Sequence, residues 1–242
     1  MSKQVSYLKH VSFIPDGNRR WAAQHGILNE KKVYDQGSDI ASDIAQAAFE
    51  AGADCVSFWA GSYNNIIKRP KGFVGGLEDA YVRLFNKLAT HPLIHEKQVR
   101  VEAPGEWRDI LRPDTQTAIN EALETTKNYS AKRLIILLGY DGTRERGAAV
   151  QSLLSDQQSV PKNIQEAADL LRQHSWTGDL PDVDLIVRTG AWQDPHISAG
   201  FLSLISSESQ LAFPQVLWPD LTPAILKEIL DDFSNRERRL GR

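Results

Sequence analysis

Short, almost wholly apolar runs alternate along this chain with longer stretches that carry apolar residues at helical spacing. The runs predict strands at residues 11–14, 55–59, 99–102, 134–138 and 183–187, with a shorter sixth strand at 216–218. Strands this apolar are typical of a sheet that is covered on both faces. The alternation therefore predicts an α/β fold, with about six mostly parallel strands surrounded by helices.

Helix ends can be placed at two points. Ser38 is a candidate N-cap for a helix with Ile40 and Ile44 on one face. Thr222 and Pro223 predict the start of the last helix, as N-cap and first helical residue. The sequence contains neither an internal repeat nor a convincing linker, so we expect a single domain over residues 1–242.

Composition limits the function classes. The chain has 242 residues, 41% of them hydrophobic, which is enough for one domain with a substantial core. The net charge of -3 argues against general nucleic-acid binding, and a single cysteine, Cys55, argues against a disulfide framework or a thiolate metal cluster. The first residues lack the apolar run of a secretory signal, and no run is long enough to span a bilayer. We therefore expect a cytoplasmic protein.

Polar loops follow four of the predicted strands. Their sequences are PDGNRRW, AGSYNNIIKRP, GYDGTRE and RTGAWQDPHIS. Ligands of open parallel sheets bind beyond the carboxyl ends of the strands, where these loops meet. Each loop carries at least one arginine, so together they favour an anionic ligand. The alternative is that these arginines are ordinary solvated loop residues.

The first loop has the chemistry of a phosphate site. A helix starting near Asn18 presents free backbone N–H groups, and Gly17 allows a close approach of the backbone. Arg19 and Arg20 add fork-shaped donors. Asp16 would repel a phosphate unless a cation lay between them, which indicates a Mg²⁺ ligand. The alternative is a plain turn in which Asp16 caps the helix.

The segment HVSFIPDGNRRWA resembles the opening motif of the cis-prenyltransferases, the undecaprenyl diphosphate synthase family. Four later segments match that family in order: AGSYNNIIKRP, VDLIVRTG, FPQVLWPDLTP and NRERRLGR. The resemblance implies a sheet of about six parallel strands, a hydrophobic tunnel for a prenyl chain, and a homodimer. It also implies the chemistry: an allylic diphosphate loses its diphosphate as an acceptor attacks the allylic carbon, with Mg²⁺ as cofactor.

The resemblance also assigns residues to the donor site. Asp16 is the Mg²⁺-linked catalytic aspartate, and Asn18 and Ser62 lie near the reacting carbon. The allylic diphosphate is held by Gly17, Asn18, Arg19 (through its backbone), Arg20 and Arg69.

The acceptor site departs from the family pattern. Arg188 and Ser198 are in place, but the second arginine of the family becomes His196, and its glutamate aligns with Gln210, with Glu208 nearby. Histidine lacks a guanidinium fork, and an amide attracts metal less than a carboxylate does. The altered residues weaken the case for a second diphosphate. The terminal Arg239, which in the family reaches an acceptor diphosphate across the dimer, is retained.

Two residues of the altered loop have alternative interpretations. Trp192 could stack on an aromatic acceptor or simply cover the loop. His196 could be a general base that takes a proton from the acceptor, or a loop histidine hydrogen-bonded to a neighbour.

A helix over residues 72–90 corresponds to one wall of the family's tunnel. Leu77, Tyr81, Leu84 and Phe85 lie on or near one face of it. Such bulky residues would shorten the tunnel and favour a short donor, dimethylallyl diphosphate. The alternative is ordinary core packing.

Three functions are consistent with this pattern. The first is transfer of a short allylic group to a small aromatic acceptor without a diphosphate, as in the family branch that uses carbazole quinones. The second is condensation of two diphosphates, either cis-elongation with isopentenyl diphosphate or head-to-middle joining of two dimethylallyl diphosphates into a lavandulyl-type skeleton. The third is a non-catalytic partner subunit, which the presence of Asp16 and Arg20 disfavours.

Overall fold

The core of the protein is a sheet of six parallel strands. The computed structural model describes residues 8–27, 30–69, 71–156 and 160–236. The strands are β1 His10–Ile14, β2 Cys55–Ser62, β3 Val99–Glu102, β4 Lys132–Tyr140, β5 Leu185–Arg188 and β6 Gln210–Ala212. Their order in the sheet is β3-β4-β2-β1-β5-β6, and each neighbouring pair is parallel. The α/β fold with six strands is confirmed.

The predicted strand at residues 216–218 is wrong. The sixth strand is β6, and Trp218 instead opens a single 3₁₀ turn, Trp218–Asp220. Pro219 has no N–H to donate to a strand ladder. The backbone groups of this apolar segment bond to loops: Gly190 N donates to Val216 O (2.8 Å), and Trp218 N donates to Asp16 O (3.0 Å).

Helices cover the sheet. They are α1 Asn18–Gln24, α2 Glu30–Glu50, α3 Tyr63–Lys68, α4 Lys71–Thr90, α5 Pro92–Glu96, α6 Trp107–Ile110, α7 Pro113–Thr126, α8 Gly142–Ser155, α9 Ile164–Gln173 and α10 Pro223–Asn235. Across the described ranges, no helix combines the length and the apolarity that crossing a membrane requires.

One of the two predicted caps is confirmed. Thr222 caps α10 by accepting a hydrogen bond from Ile225 N at 3.3 Å. The cap predicted at Ser38 is wrong, because α2 already starts at Glu30 and the Ser38 hydroxyl donates to Tyr34 O (3.0 Å) inside the helix. The first turns of α2 are too polar to show a helical period, so the apolar spacing becomes visible only from Ile40 onwards.

The two faces of the sheet carry separate apolar clusters. Helices α2, α4, α7 and α10 pack on one face, where Phe13 and Phe58 stack with ring centres 5.1 Å apart. The other face packs against a smaller cluster that includes Tyr140 and Phe201. Burial on both faces explains why the strands read as continuous apolar runs.

The strand order places a crevice between β1 and β5. The chain leaves β1 towards β2 and leaves β5 in the opposite direction, towards β6. Connections that diverge from adjacent strands leave an opening at the carboxyl ends of those strands. The loops that carry Asp16 and Arg188 lie on either side of this opening.

A buried histidine lies inside the sheet. His10 is fully buried, its Nε2 lies 2.9 Å from Ser57 Oγ, and its Nδ1 lies 2.9 Å from Pro181 O. Burial lowers the pKa of His10 from 6.5 to about 4, with hydrogen bonding to Pro181 opposing the shift. The imidazole is therefore neutral in the folded protein at any pH above that value.

This lowered pKa predicts an acid-sensitive fold. As the pH falls from about 6.5 to 4, an unfolded chain takes up a proton at His10 and the folded chain does not, so the free energy of unfolding falls by about 3 kcal/mol. His10→Gln cannot titrate. Urea unfolding from pH 7 to 4 should show its stability gap to the wild type narrowing by about that amount.

The same substitution at exposed His25 is the matched control and should keep the wild-type pH dependence. A constant gap between His10→Gln and the wild type across this range would contradict the assignment.

Candidate functional site

An ion pair joins the loops after β1 and β5. Asp16 Oδ2 accepts a hydrogen bond from Arg188 Nη2 at 3.0 Å, and Asp16 Oδ1 accepts one from Arg20 Nη2 at 3.4 Å. The pairing follows from the sheet, in which Ile14 of β1 lies opposite Arg188 of β5. The Asp16 side chain is 40% exposed, and the Arg188 side chain is 10% exposed. Asp16 therefore faces solvent and Arg188 lies beneath it.

The backbone of Asp16 is held on both sides. Thr189 Oγ1 donates to Asp16 O (2.8 Å) and accepts from Asp16 N (3.1 Å). Gly17, with φ of 106°, packs so tightly that an added Cβ would lie 2.7 Å from Leu217 Cδ2. Three loops are thus locked together at the carboxyl edge of the sheet. Sequence reasoning missed Thr189, because its contact with Asp16 arises only when β5 pairs with β1.

Helix α1 starts where the sequence predicted. Gly17 is its N-cap, and no side chain caps it, so the interpretation of Asp16 as a capping residue is wrong. Asn18 Nδ2 donates to Pro15 O (3.3 Å), whereas its buried Oδ1 has no hydrogen-bond partner in the described structure. The helix has only seven residues, and Arg20 lies in its first turn.

The other residues predicted for the donor site come from the loops after β1 and β2. Arg20 Nη2 donates to Gly190 O (2.6 Å), and Arg19 is exposed. Ser62 caps α3 by accepting from Asn65 N (3.1 Å), and Arg69 ends that helix. Burial raises the pKa of Tyr81, and the nearby charge of Arg69 opposes this shift.

Arg188 gathers part of the predicted acceptor site. Its Nη1 donates to Ser198 Oγ (2.9 Å) and to His196 O (3.0 Å), while its buried Nε has no partner within the described residues. The His196 ring points elsewhere: its Nδ1 lies 2.7 Å from Asp194 O, and the side chain is 47% exposed. This geometry agrees with a loop histidine that is hydrogen-bonded to a neighbour.

Other predicted acceptor residues lie apart from Arg188. Gln210 starts β6 opposite Leu185, three residues before Arg188 and so about 10 Å below it along the strand. Its Oε1 accepts from Arg236 Nη1 at 3.4 Å. Trp192 is half-buried in the turn after β5, and Glu208 is exposed. Arg239 lies outside the described residues.

An apolar cavity of about 240 Å³ runs from this site between the sheet and helices α2 and α4. The end of the cavity at this site, its mouth, includes Pro15 and Asn18, and the lining extends past Leu134 to Val99. Leu134 is level with Val11 through β2 and Val99 lies two residues further down the sheet, so the lining extends about 20 Å along the strands. Its walls include Tyr34, Leu77, Tyr81, Leu84 and Trp218.

The bulky residues predicted to shorten this space narrow it without closing it. Leu77, Tyr81 and Leu84 line the cavity, and the lining continues beyond them to His91 and Ile94. Phe85 is fully buried in the core and is not part of the lining.

Asp16 fits a Mg²⁺ ion that is shared with a substrate. The described residues contain no group of three or more histidines, cysteines or carboxylates that could enclose a metal. Mg²⁺ is commonly held by one or two carboxylates together with substrate phosphates. One partly exposed carboxylate beside an anion site supplies the protein's share of that donor set.

The close contact at Gly17 makes a prediction. Gly17→Ala should lower the free energy of unfolding by about 2 kcal/mol or more, because the methyl group meets Leu217 and the backbone keeps a positive φ. Gly26→Ala is the control, since Gly26 also has a positive φ, 65°, but nothing within 4 Å of an added Cβ. Equal losses in urea unfolding would show that the contact with Leu217 is unimportant.

Comparison with known proteins gives similarity over nearly the whole chain. A family model of undecaprenyl diphosphate synthase matches residues 14–241. An isoprenyl transferase of Deinococcus radiodurans is 33% identical over 239 residues, covering 97% of this chain and 85% of that protein. A tritrans,polycis-undecaprenyl-diphosphate synthase (geranylgeranyl-diphosphate specific) of Pyrococcus horikoshii is also 33% identical, covering 97% of this chain and 87% of that protein.

Two solved structures share the fold. A lavandulyl diphosphate synthase from Lavandula x intermedia, solved in complex with dimethylallyl diphosphate, superposes with a TM-score of 0.86 at 23% identity, covering 99% of this chain and 100% of that one. A probable undecaprenyl diphosphate synthase from Campylobacter jejuni gives 0.76 at 25% identity, covering 98% and 100%. At such identities, the agreement concerns the arrangement of strands and helices.

Proposed function

Because this chain belongs to the undecaprenyl diphosphate synthase family of cis-prenyltransferases and is therefore a prenyltransferase, we propose that it transfers a short allylic group to an electron-rich aromatic acceptor without a diphosphate. The proposed donor is dimethylallyl diphosphate, and carbazole quinones represent the proposed class of acceptor. The observation that carries the proposal is the charge around Arg188: among the described residues assigned to the acceptor side it is the one arginine, and Asp16 already pairs with it.

The donor side supports an allylic diphosphate. Asp16, Gly17 and Arg20 lie at the mouth of an apolar cavity that starts at Pro15 and Asn18. A diphosphate bound at the loop would lie beside polar and charged groups, and the hydrocarbon tail of the same donor would lie in the apolar cavity. Arg69, the residue that ends α3, is proposed to add a second cation to the donor site.

The acceptor side has too little positive charge for a second diphosphate. Of the acceptor residues assigned from the sequence and described in the structure, Arg188 is the one permanent cation, and the Asp16 carboxylate offsets it at 3.0 Å. The His196 ring turns towards Asp194, and Gln210 lies about 10 Å below the edge of the sheet. An uncharged acceptor avoids the cost of placing a diphosphate where few donors can pair with it.

The reaction breaks the bond between the allylic carbon and its diphosphate oxygen and forms a bond to the aromatic ring. Arg20 and Arg69 would stabilise the negative charge that develops on the leaving diphosphate. Mg²⁺, when bound at Asp16, would supply further neutralisation of that charge. Asn18 and Ser62 would orient the allylic carbon, and the ring proton would leave to the released diphosphate.

The cavity sets the donor length in this proposal. Tyr34, Tyr81 and Leu84 are bulky residues of the lining, and in this proposal they favour a five-carbon group near the mouth. Because the lining continues to Ile94, the cavity also has length for a longer allylic chain. In this proposal, the preference for a donor of one length depends on the bulky lining residues. Comparing turnover with five-, ten- and fifteen-carbon allylic diphosphates would measure that preference.

Condensation of two diphosphates is the second candidate. The observation in its favour is that Arg188 and Ser198 remain in contact at 2.9 Å, as an Arg and Ser of a diphosphate site would. The buried Arg188 Nε also has no partner among the described residues. Both cis-elongation with isopentenyl diphosphate and head-to-middle joining of two dimethylallyl groups would use this arginine. A non-catalytic role ranks last, since Asp16 and Arg20 are both at the site.

We also propose that the protein acts as a homodimer in the cytoplasm. Strand β6 is at the edge of the described sheet, and Leu211 on it is 40% exposed. An exposed edge strand with an apolar residue is a surface that a second copy could cover. Light scattering on the purified chain would determine its mass in solution.

The acceptor assay tests the proposal. Purified protein with Mg²⁺ and dimethylallyl diphosphate should prenylate a dihydroxynaphthalene, used as an electron-rich probe, and release diphosphate, as followed by mass spectrometry. Asp16→Asn is the inactive control: the amide keeps the size of the carboxylate but not its charge, so turnover should fall by about 100-fold or more.

Two outcomes would contradict the proposal. A longer diphosphate formed with isopentenyl diphosphate, or from dimethylallyl diphosphate alone, would establish a diphosphate acceptor and favour the second candidate. Full activity of Asp16→Asn would show that the carboxylate does not have the role proposed for it.

A further inference from the structure

The turn that follows Ser198 is held in an unfavourable conformation. Ala199 and Leu202 have φ of 49° and Gly200 has φ of 60°, so three of four consecutive residues are left-handed. Residues with a Cβ rarely adopt this region, because the Cβ then approaches backbone oxygen. Such a turn persists only where its surroundings hold it, and left-handed residues of this kind concentrate at functional sites.

A buried network holds the far end of this turn. Leu202 N donates to the Tyr140 hydroxyl at 3.1 Å, and that hydroxyl donates to Glu145 Oε2 at 2.5 Å. Glu145 is fully buried, and its Oε1 accepts from Thr177 N (2.9 Å) and Thr177 Oγ1 (2.6 Å). Glu145 is thus fixed by three donors on two segments of the chain.

The Tyr140 hydroxyl has one orientation in this network. Burial raises the pKa of Tyr140, and the neighbouring Glu145 raises it further, so the hydroxyl keeps its proton. The proton goes to Glu145, which leaves an oxygen lone pair for Leu202 N. Because the hydroxyl donates to Glu145 and accepts from Leu202 N, the position of Glu145 constrains the position of the turn.

The near end of the turn holds Arg188. Ser198 O accepts from Phe201 N at 3.0 Å, and Ser198 Oγ accepts from Arg188 Nη1 at 2.9 Å. Gly142 N donates to Ala199 O at 2.9 Å between the two ends. Because only three residues lie between Ser198 and Leu202 and most polar groups of this turn are bonded, loss of the anchor at Leu202 would shift Ser198.

The ring of Tyr140 also supports the turn by packing, and this contribution can be separated from that of its hydroxyl. Phe201 stacks on Trp59 with ring centres 5.0 Å apart and meets the Tyr140 ring edge-on at 6.2 Å. Phenylalanine at position 140 would keep these ring contacts and remove only the hydroxyl. The hydrogen bonds can therefore be tested apart from the packing.

We propose that Tyr140 is a positioning residue for the acceptor site, whose hydroxyl links buried Glu145 to Leu202 and thereby keeps Ser198 on Arg188. The inference deepens the proposed function and rests on it in one respect, the assignment of Arg188 and Ser198 to the acceptor side. Tyr140 itself belongs to β4 and acts through the turn.

The test compares Tyr140→Phe with Tyr129→Phe. Tyr129 also bonds through its hydroxyl, to His95 Nδ1 at 2.9 Å, but lies after α7 and away from the site. In Tyr140→Phe, the Leu202 amide and the Arg188 Nη1–H groups should exchange with solvent about tenfold faster by NMR, because the amide loses its bond to the Tyr140 hydroxyl and Nη1 loses its fixed partner Ser198. Tyr129→Phe should leave both rates unchanged.

Kinetics supply the second readout. With dimethylallyl diphosphate and the dihydroxynaphthalene probe, Tyr140→Phe should raise KM for the probe about tenfold and leave kcat and the donor KM near wild type. A general loss of structure would move donor and acceptor constants together. Where Tyr140→Phe does not fold, Glu145→Gln tests the same link, because its amide N–H would face the tyrosine hydroxyl and displace its proton.

Three results would overturn the inference. The first is wild-type exchange at Arg188 despite faster exchange at Leu202, which would show that the turn does not transmit the constraint. The second is an equal rise of both KM values, and the third is the same change in Tyr129→Phe. Exchange is measured without substrate, so it decides the inference even where no acceptor is turned over and the proposed function itself fails.

Discussion

The ion pair between Asp16 and Arg188 is the interaction on which the geometry of the site depends. A guanidinium that is only 10% exposed requires a counter-charge, and the Asp16 carboxylate supplies it at 3.0 Å. Each partner also holds its own loop: Asp16 through Thr189 and Trp218, and Arg188 through Ser198 and His196. Removing the Asp16 carboxylate would leave the mostly buried Arg188 charge without this partner, whereas Asp16 would keep Arg20 at 3.4 Å if Arg188 were replaced.

The rest of the site is arranged around this pair. Parallel pairing of β1 and β5 sets Ile14 opposite Arg188, and the apolar segment before α10 closes the crevice, with Leu217 against Gly17. The same carboxylate faces the donor loop through Arg20 and the acceptor loop through Arg188. A ligand that changes the charge at Asp16 would therefore change the electrostatic potential on both sides. This property suits the proposed reaction, in which negative charge develops on the leaving diphosphate as the acceptor attacks.

Local sequence signals predicted much of this architecture, and failed where long-range contacts decide. Apolar runs gave five strands, and their carboxyl ends brought Asp16 and Arg188 to one edge as the sheet rule requires. The segment 216–218 is as apolar as a strand, but its N–H and C=O groups bond to Asp16 and Gly190, which are distant in sequence. The register of β6, which sets Gln210 beside Leu185, could not be read from the spacing of residues along the chain. Nothing in the sequence singled out Tyr140, because its hydroxyl contacts Leu202, about sixty residues later.

The most direct test of this account is a crystal structure with Mg²⁺ and a non-cleavable dimethylallyl thiolodiphosphate. The account predicts the diphosphate at the loop of Gly17 and Arg20, Mg²⁺ on Asp16, and the five-carbon group at the cavity mouth beside Asn18. Electron density for the diphosphate on Arg188 and Ser198, with the loop of Asp16 and Arg20 empty, would contradict it, since the donor would then occupy the side assigned to the acceptor.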